Sequence, residues 1–121
     1  MALLCVVLEE AVSELWGTLR VLRSYFRASL QDTLSTANAV LDSAFSDAQA
    51  AADQLDSVTG RPVARQAHEH SQSAWSDFRT INCLVPAAMA AGASGSGNFT
   101  LGCEIKMARA RTDELRGFAH R

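Results

Sequence analysis

Apolar residues recur at alternating spacings of three and four through the first twenty-six positions, a period that is typical of one face of an α-helix. Glu10, Ser13 and Arg20 lie on the opposite side of this helix. The sequence therefore predicts an amphipathic helix that packs its apolar face against a partner surface. The apolar positions are Leu4, Leu8, Ala11, Leu15, Leu19, Leu22 and Phe26.

The opening of this segment does not match an export signal. No cation precedes its apolar run, whereas a secretory signal begins with basic residues. Glu9 and Glu10 end the run directly after Leu8, which also leaves it too short to cross a bilayer. We therefore expect no transmembrane segment.

A second stripe of the same period predicts the longest helix of the chain. We expect it to end where Gly60 supplies a left-handed cap and Pro62 opens the next helix at its first position. A third helix is predicted from about Pro62 to Leu84, and Pro86 should break or kink it. The second stripe consists of Leu30, Leu34, Ala37, Leu41, Phe45, Ala48, Ala52 and Leu55.

The stretch from Gly92 to Asn98 contains only small and polar residues and predicts a flexible loop. A fourth helix follows it, with Leu101 and Ile105 on its apolar side. Four helices with short connections predict an all-α fold, an antiparallel bundle of about four helices.

The chain of 121 residues is long enough for one domain with a small core. We predict an amphipathic N-terminal helix at residues 1–28, whose membership of the bundle is open. Residues 29–121 are predicted to form the helical domain itself.

Two of the three cysteines flank the predicted loop. Cys83 ends the third helix and Cys103 begins the fourth, so an antiparallel pair brings their Cα atoms within the roughly 4.4–6.8 Å that a disulfide requires. The bond closes a loop of about twenty residues and should stabilise the fold by about 3 kcal/mol. A disulfide implies an oxidising, secreted or periplasmic compartment. Cys5 is left unpaired.

Charge and spacing disfavour several classes of function. Eleven basic and thirteen acidic residues give a net charge of −2, and no basic run indicates a nucleic-acid partner. His68 and His70 point about 200° apart on a helix, so they cannot share a metal ion. His68 and Cys83 are separated by about 22 Å of helix and cannot form a nucleophile–base pair. We therefore expect no catalytic residue, metal or cofactor.

Trp75 and Phe78 lie beside the apolar stripe of the third helix, and we expect both to pack in the core. Arg79 lies near the edge of that core, where a guanidinium generally binds a carboxylate of a neighbouring helix. Asp42 is the predicted partner of Arg79.

Eight residues of the third and fourth helices form an ordered set. They are Gln72, Trp75, Phe78, Arg79, Cys83, Cys103, Arg111 and Leu115. Their spacing, Q-x-x-W-x-x-F-R-x-x-x-C followed by a glycine-rich loop and the second cysteine, resembles the LprI-type lysozyme-inhibitor family. Leu41, Asp42 and Phe45 are similar to the L-N-x-x-Y element of that family, with aspartate for asparagine and phenylalanine for tyrosine.

The resemblance covers about residues 33–118 and departs from the family at Ala108, where its members commonly carry a threonine. It implies a small, helical, disulfide-linked and exported bacterial protein, and inhibition of lysozyme by part of the family. We accordingly expect a non-enzymatic secreted or periplasmic protein that binds lysozyme or another protein.

The loop held between the two cysteines is the candidate binding segment, because a segment fixed on a rigid scaffold loses little conformational entropy on binding. Its candidate binding residues are Ser94, Gly95, Ser96, Gly97 and Asn98. The alternative is a structural or assembly module, in which an exposed stripe on residues 1–28 drives dimerisation or the binding of another partner.

Overall fold

The computed structural model describes residues 2–93 and 95–120, with side chains described from residue 5 onwards. These residues form three long helices and one short helix. The helices are α1 (Ala2–Thr59), α2 (Ala64–Asn82), α3 (Leu84–Met89) and α4 (Ser96–Ala119). The all-helical prediction is therefore confirmed for the described residues.

The division of the N-terminal half into two helices was wrong. The first and second predicted helices are one continuous helix, α1, of 58 residues. The chain carries neither glycine nor proline between Gly17 and Gly60, and the apolar stripe continues through Phe26 and Leu30 without a change of period. Nothing in the sequence therefore stops the helix near residue 28.

α1 ends at the predicted glycine. Gly60 adopts the left-handed conformation, with φ of 69°, and its N–H donates to the carbonyl of Asp56 at 2.8 Å. Pro62 lies in the turn that follows, so α2 begins at Ala64 and not at the proline as predicted.

α2 and α3 are separated at Cys83. Pro86 has no N–H to donate to the carbonyl of Asn82 four residues earlier, which accounts for the interruption. A turn with left-handed φ angles at Ala91, Gly92 and Gly95 then leads into α4.

The predicted loop is shorter than expected. α4 begins at Ser96, so Ser96, Gly97 and Asn98 form its first turn and do not belong to a flexible loop.

The core lies between α1 and α4, which share the largest interface of the fold. α1 contributes mainly alanines to it, and their small side chains allow the two helices to approach closely. Phe45, Trp75 and Ala119 pack around this centre. The central residues are Ala37, Leu41, Ala44, Ala48, Ala108 and Leu115.

α2 runs antiparallel to α1, since Arg65 pairs with Asp53 near one end and Arg79 bonds to Asn38 near the other. The N-terminal part of α1 extends beyond this bundle. Every described side chain from residue 5 to residue 22 is exposed.

Candidate protein-binding site at the disulfide end

The predicted disulfide is present. Cys83 and Cys103 are bonded, with their Cα atoms 5.4 Å apart, and Cys83 is completely buried. The bond ties the junction of α2 and α3 to the second turn of α4. This end of the bundle is therefore cross-linked across two helices.

An open groove lies beside the disulfide and encloses about 570 Å³. Pro86, Phe99 and Met107 give the groove an apolar floor, and Lys106 adds a positive charge. Phe99 is 53% exposed although it lies in the first turns of α4. We refer to this feature, defined by Pro86, Asn98, Phe99, Lys106 and Met107, as the disulfide groove.

Asn98 is the predicted binding residue that lines the disulfide groove. Its Oδ1 atom is buried and accepts no hydrogen bond from the described residues. The protein itself covers this atom, so Asn98 contributes to the wall of the groove and its part in binding stays a prediction.

Three other predicted binding residues, Gly95, Ser96 and Gly97, do not line the disulfide groove. Ser94 falls outside the described residues. Gly95, Ser96 and Gly97 are half-buried. A Cβ atom on Gly97 would approach Nη1 of Arg27 to 2.8 Å, and because this atom ends a flexible side chain, a shift of Arg27 would accommodate it. Their part in binding stays a prediction.

A larger groove of about 630 Å³ runs between α1 and α4. Its lining contains both acidic residues, Asp32 and Asp113, and basic residues, Arg109 and Arg116. Mixed charges of this kind are typical of a solvated face. The disulfide groove differs from it in its apolar floor, and it is the stronger candidate.

The tryptophan of the ordered sequence set lies close to two guanidinium groups. Arg79 is 4.9 Å and Arg111 is 5.9 Å from the centre of the Trp75 ring, both within the range of cation–π attraction. Arg111 is 6% exposed and donates to Gln72 at 2.9 Å and to the Ser71 hydroxyl at 3.0 Å, besides its ion pair with Glu114. These residues therefore join α2 to α4.

The predicted pair of Arg79 with Asp42 was wrong. Nη1 of Arg79 donates to Oδ1 of Asn38 at 2.7 Å, one helical turn before Asp42, which is exposed. Phe78 is also exposed, at 57%, and does not pack in the core as expected. Leu41 and Leu115 of the resemblance are buried, and Phe45 packs against them.

His68 and His70 lie in different surroundings. His70 is exposed, while the ring of His68 lies 5.6 Å from that of Phe45 in a tilted arrangement and 5.7 Å from that of Phe118 edge to face. Burial lowers the pKa of His68, and the positive charge of Arg111 lowers it further. No cluster of three metal-binding side chains occurs within residues 2–93 and 95–120.

Asp56 has a structural role, the capping of α2, that the sequence did not predict. Its carboxylate accepts hydrogen bonds from the backbone N–H groups of Ala64 at 2.9 Å and Arg65 at 3.0 Å, and so caps α2. These bonds, above all that from Arg65, lower the pKa of Asp56. The acidic residue eight positions before the helix was the available signal, but capping residues usually directly precede the helix that they cap.

The fold and the cross-linked end together define a small, helical, disulfide-bonded domain. The chain belongs to the lysozyme inhibitor LprI family, whose model matches residues 24–115. Neither the curated proteins nor the solved structures contain a significant match. None of the described helices has an apolar stretch sufficient to span a bilayer.

Proposed function

We propose that this protein is a non-enzymatic binding protein of a secreted or periplasmic compartment and that it inhibits a lysozyme. Membership of the LprI family supports the class of partner. The disulfide supports an oxidising compartment. The disulfide groove supplies the contact surface.

The exposed ring of Phe99 in the largely apolar groove beside the disulfide is the observation that carries this assignment. An exposed aromatic side chain in an apolar groove is typical of a binding hot spot. The disulfide holds Phe99 near a fixed point, since Cys103 lies one turn of α4 away. Binding to a partner therefore orders few groups.

The direct test is a titration of the oxidised protein against a lysozyme in a cell-wall lysis assay. We expect inhibition that saturates at a stoichiometric ratio. Full lysozyme activity at a large molar excess would contradict lysozyme as the partner and leave the family and the fold in place.

A matched pair of variants locates the surface. Phe99→Asp should weaken binding at least tenfold, because a charge replaces the exposed ring in the apolar groove. Val58→Asp places the same charge at the opposite end of the bundle, where Val58 is 79% exposed, and should bind like the natural protein. Equal binding by the two variants would show that the contact surface does not include the disulfide groove.

A further inference from the structure

The exposed N-terminal half of α1 carries a second and independent surface. From Leu8 to Phe26 its apolar residues occupy every a and d position of a heptad repeat, and each is 39–59% exposed. The repeat extends over three heptads, about 33 Å of helix, when Cys5 at the preceding a position is included. We refer to this face as the heptad face, formed by Leu8, Val12, Leu15, Leu19, Leu22 and Phe26.

A single helix of this length is marginally stable in water, and Gly17 lowers its helical propensity further. None of the other described helices of the same chain covers its side chains, because residues 5–22 are exposed throughout. A second helix with the same repeat would bury the heptad face by knobs-into-holes packing.

The charges beside the heptad face select the orientation of that second helix. Glu9 in the N-terminal part and Arg23 in the C-terminal part both occupy e positions beside the heptad face. In a parallel pair e residues lie beside the partner's g residues, which are uncharged in this sequence. An antiparallel pair brings e residues together, so that Glu9 meets the partner's Arg23, and it also opposes the two helix dipoles favourably.

We propose that the heptad face binds the same face of a second copy of this chain as an antiparallel coiled coil. The register sets Leu15 against the partner's Leu19 and Leu8 against the partner's Phe26, so that each a residue meets a d residue. In this register Glu9 lies beside the partner's Arg23, and the exposed Trp16 lies beside the partner's Trp16 at the two-fold axis. This inference is independent of lysozyme binding.

The oligomeric state is the first test. Sedimentation equilibrium of the full chain should show a reversible dimer. Leu15→Glu should give a monomer because it places a charge within the buried seam. Val21→Glu is the matched control, since Val21 is 69% exposed but lies off the heptad face, and this variant should remain a dimer.

Charge reversal tests the orientation. Glu9→Arg or Arg23→Glu alone should raise the dissociation constant of the dimer about tenfold, because two ion pairs become repulsive contacts. The double variant should recover the natural affinity. Glu9 and Arg23 of one helix are about 21 Å apart, so this recovery requires contact between two copies in opposite directions.

Cross-linking gives a second measure of the orientation. In the proposed register Cys5 faces the partner's Ser29, so Ser29→Cys should yield a covalent dimer in oxidised glutathione. Each new disulfide forms by exchange and releases two molecules of glutathione thiol. The natural sequence should not cross-link through Cys5, because the two Cys5 residues lie at opposite ends of the coiled coil.

Three results would overturn the proposal. The first is a monomer at all concentrations to about 100 µM. The second is a rapid Cys5 to Cys5 cross-link in the natural sequence, which indicates a parallel pair. The third is a monomer that binds anionic lipid vesicles through the same face, which assigns the surface to a membrane.

Discussion

Arg111 of α4 donates a hydrogen bond from Nε to Oε1 of Gln72 in α2 at a distance of 2.9 Å. The two residues are 39 positions apart in the chain. The same guanidinium reaches Ser71 and Glu114, so a nearly buried cation has partners on two helices. This arrangement connects α2 to the core formed by α1 and α4.

Replacement of Arg111 by methionine should lower the free energy of unfolding by about 3 kcal/mol. The substitution keeps the aliphatic stem but removes two charged hydrogen bonds to α2 and the cation–π contact with Trp75. Urea unfolding measures the effect. Arg109→Met is the matched control on the same helix, because Arg109 is exposed, and it should change stability by less than about 0.5 kcal/mol. Equal losses in the two variants would contradict the structural role of Arg111.

The helical period predicted the elements of the fold well, because a buried face repeats along the sequence. The core positions Leu41 and Ile105 followed from this local pattern. The error at Asp42 has a different origin. Asn38 and Asp42 lie on the same side of α1, one turn apart, and only the axial position of α2 decides which of them meets Arg79.

The disulfide could be predicted because its two cysteines flank a short connection between neighbouring helices. The contact of Arg111 with Gln72 has no such local signal, since it depends on how α2 and α4 align across most of their length. The disulfide groove was also not predicted from the sequence. Its unpartnered Asn98 oxygen becomes visible only when the packing of α4 is known.

Removal of the disulfide should destabilise the protein strongly. Cys83→Ser should cost about 3 kcal/mol, because the bond restrains a loop of twenty residues in the unfolded chain. The melting temperature should fall under oxidising conditions, and reductant should lower that of the natural protein similarly. Cys5→Ser is the control, because Cys5 is an exposed free thiol. A melting temperature of the natural protein that is unaffected by reductant would count against a stabilising bond.

Truncation of Trp75 should also reduce stability. Its ring packs against the core and contacts two guanidinium groups, so Trp75→Ala should cost about 3 kcal/mol. Phe78→Ala removes another aromatic ring from the same helix, but that ring is exposed, and the loss should stay below about 1 kcal/mol. The two variants are distinguished by their midpoints of urea unfolding, provided that the slope of the unfolding free energy with urea concentration is unchanged. A smaller loss for Trp75 than for Phe78 would reverse the assignment of the core.

The burial of His68 should make stability depend on pH. Above about pH 6.5 the imidazole is neutral in the folded and the unfolded chain, so it contributes no dependence. Below that pH the unfolded chain binds a proton that the folded chain does not, because the pKa of His68 is lowered by burial. Stability should therefore fall as the pH decreases from about 6.5 to the folded-state pKa, by at most about 1.4 kcal/mol per pH unit.

Urea unfolding at pH 7.5 and pH 5.5 measures this contribution. Carboxylates also titrate toward acidic pH, so the informative quantity is the difference between variants. His68→Leu should show a smaller loss of stability at pH 5.5 than the natural protein, since it has no imidazole to protonate in the unfolded chain. His70→Gln should behave like the natural protein because His70 is exposed. The same pH dependence in all three proteins would show that His68 takes up its proton equally in the folded and unfolded states.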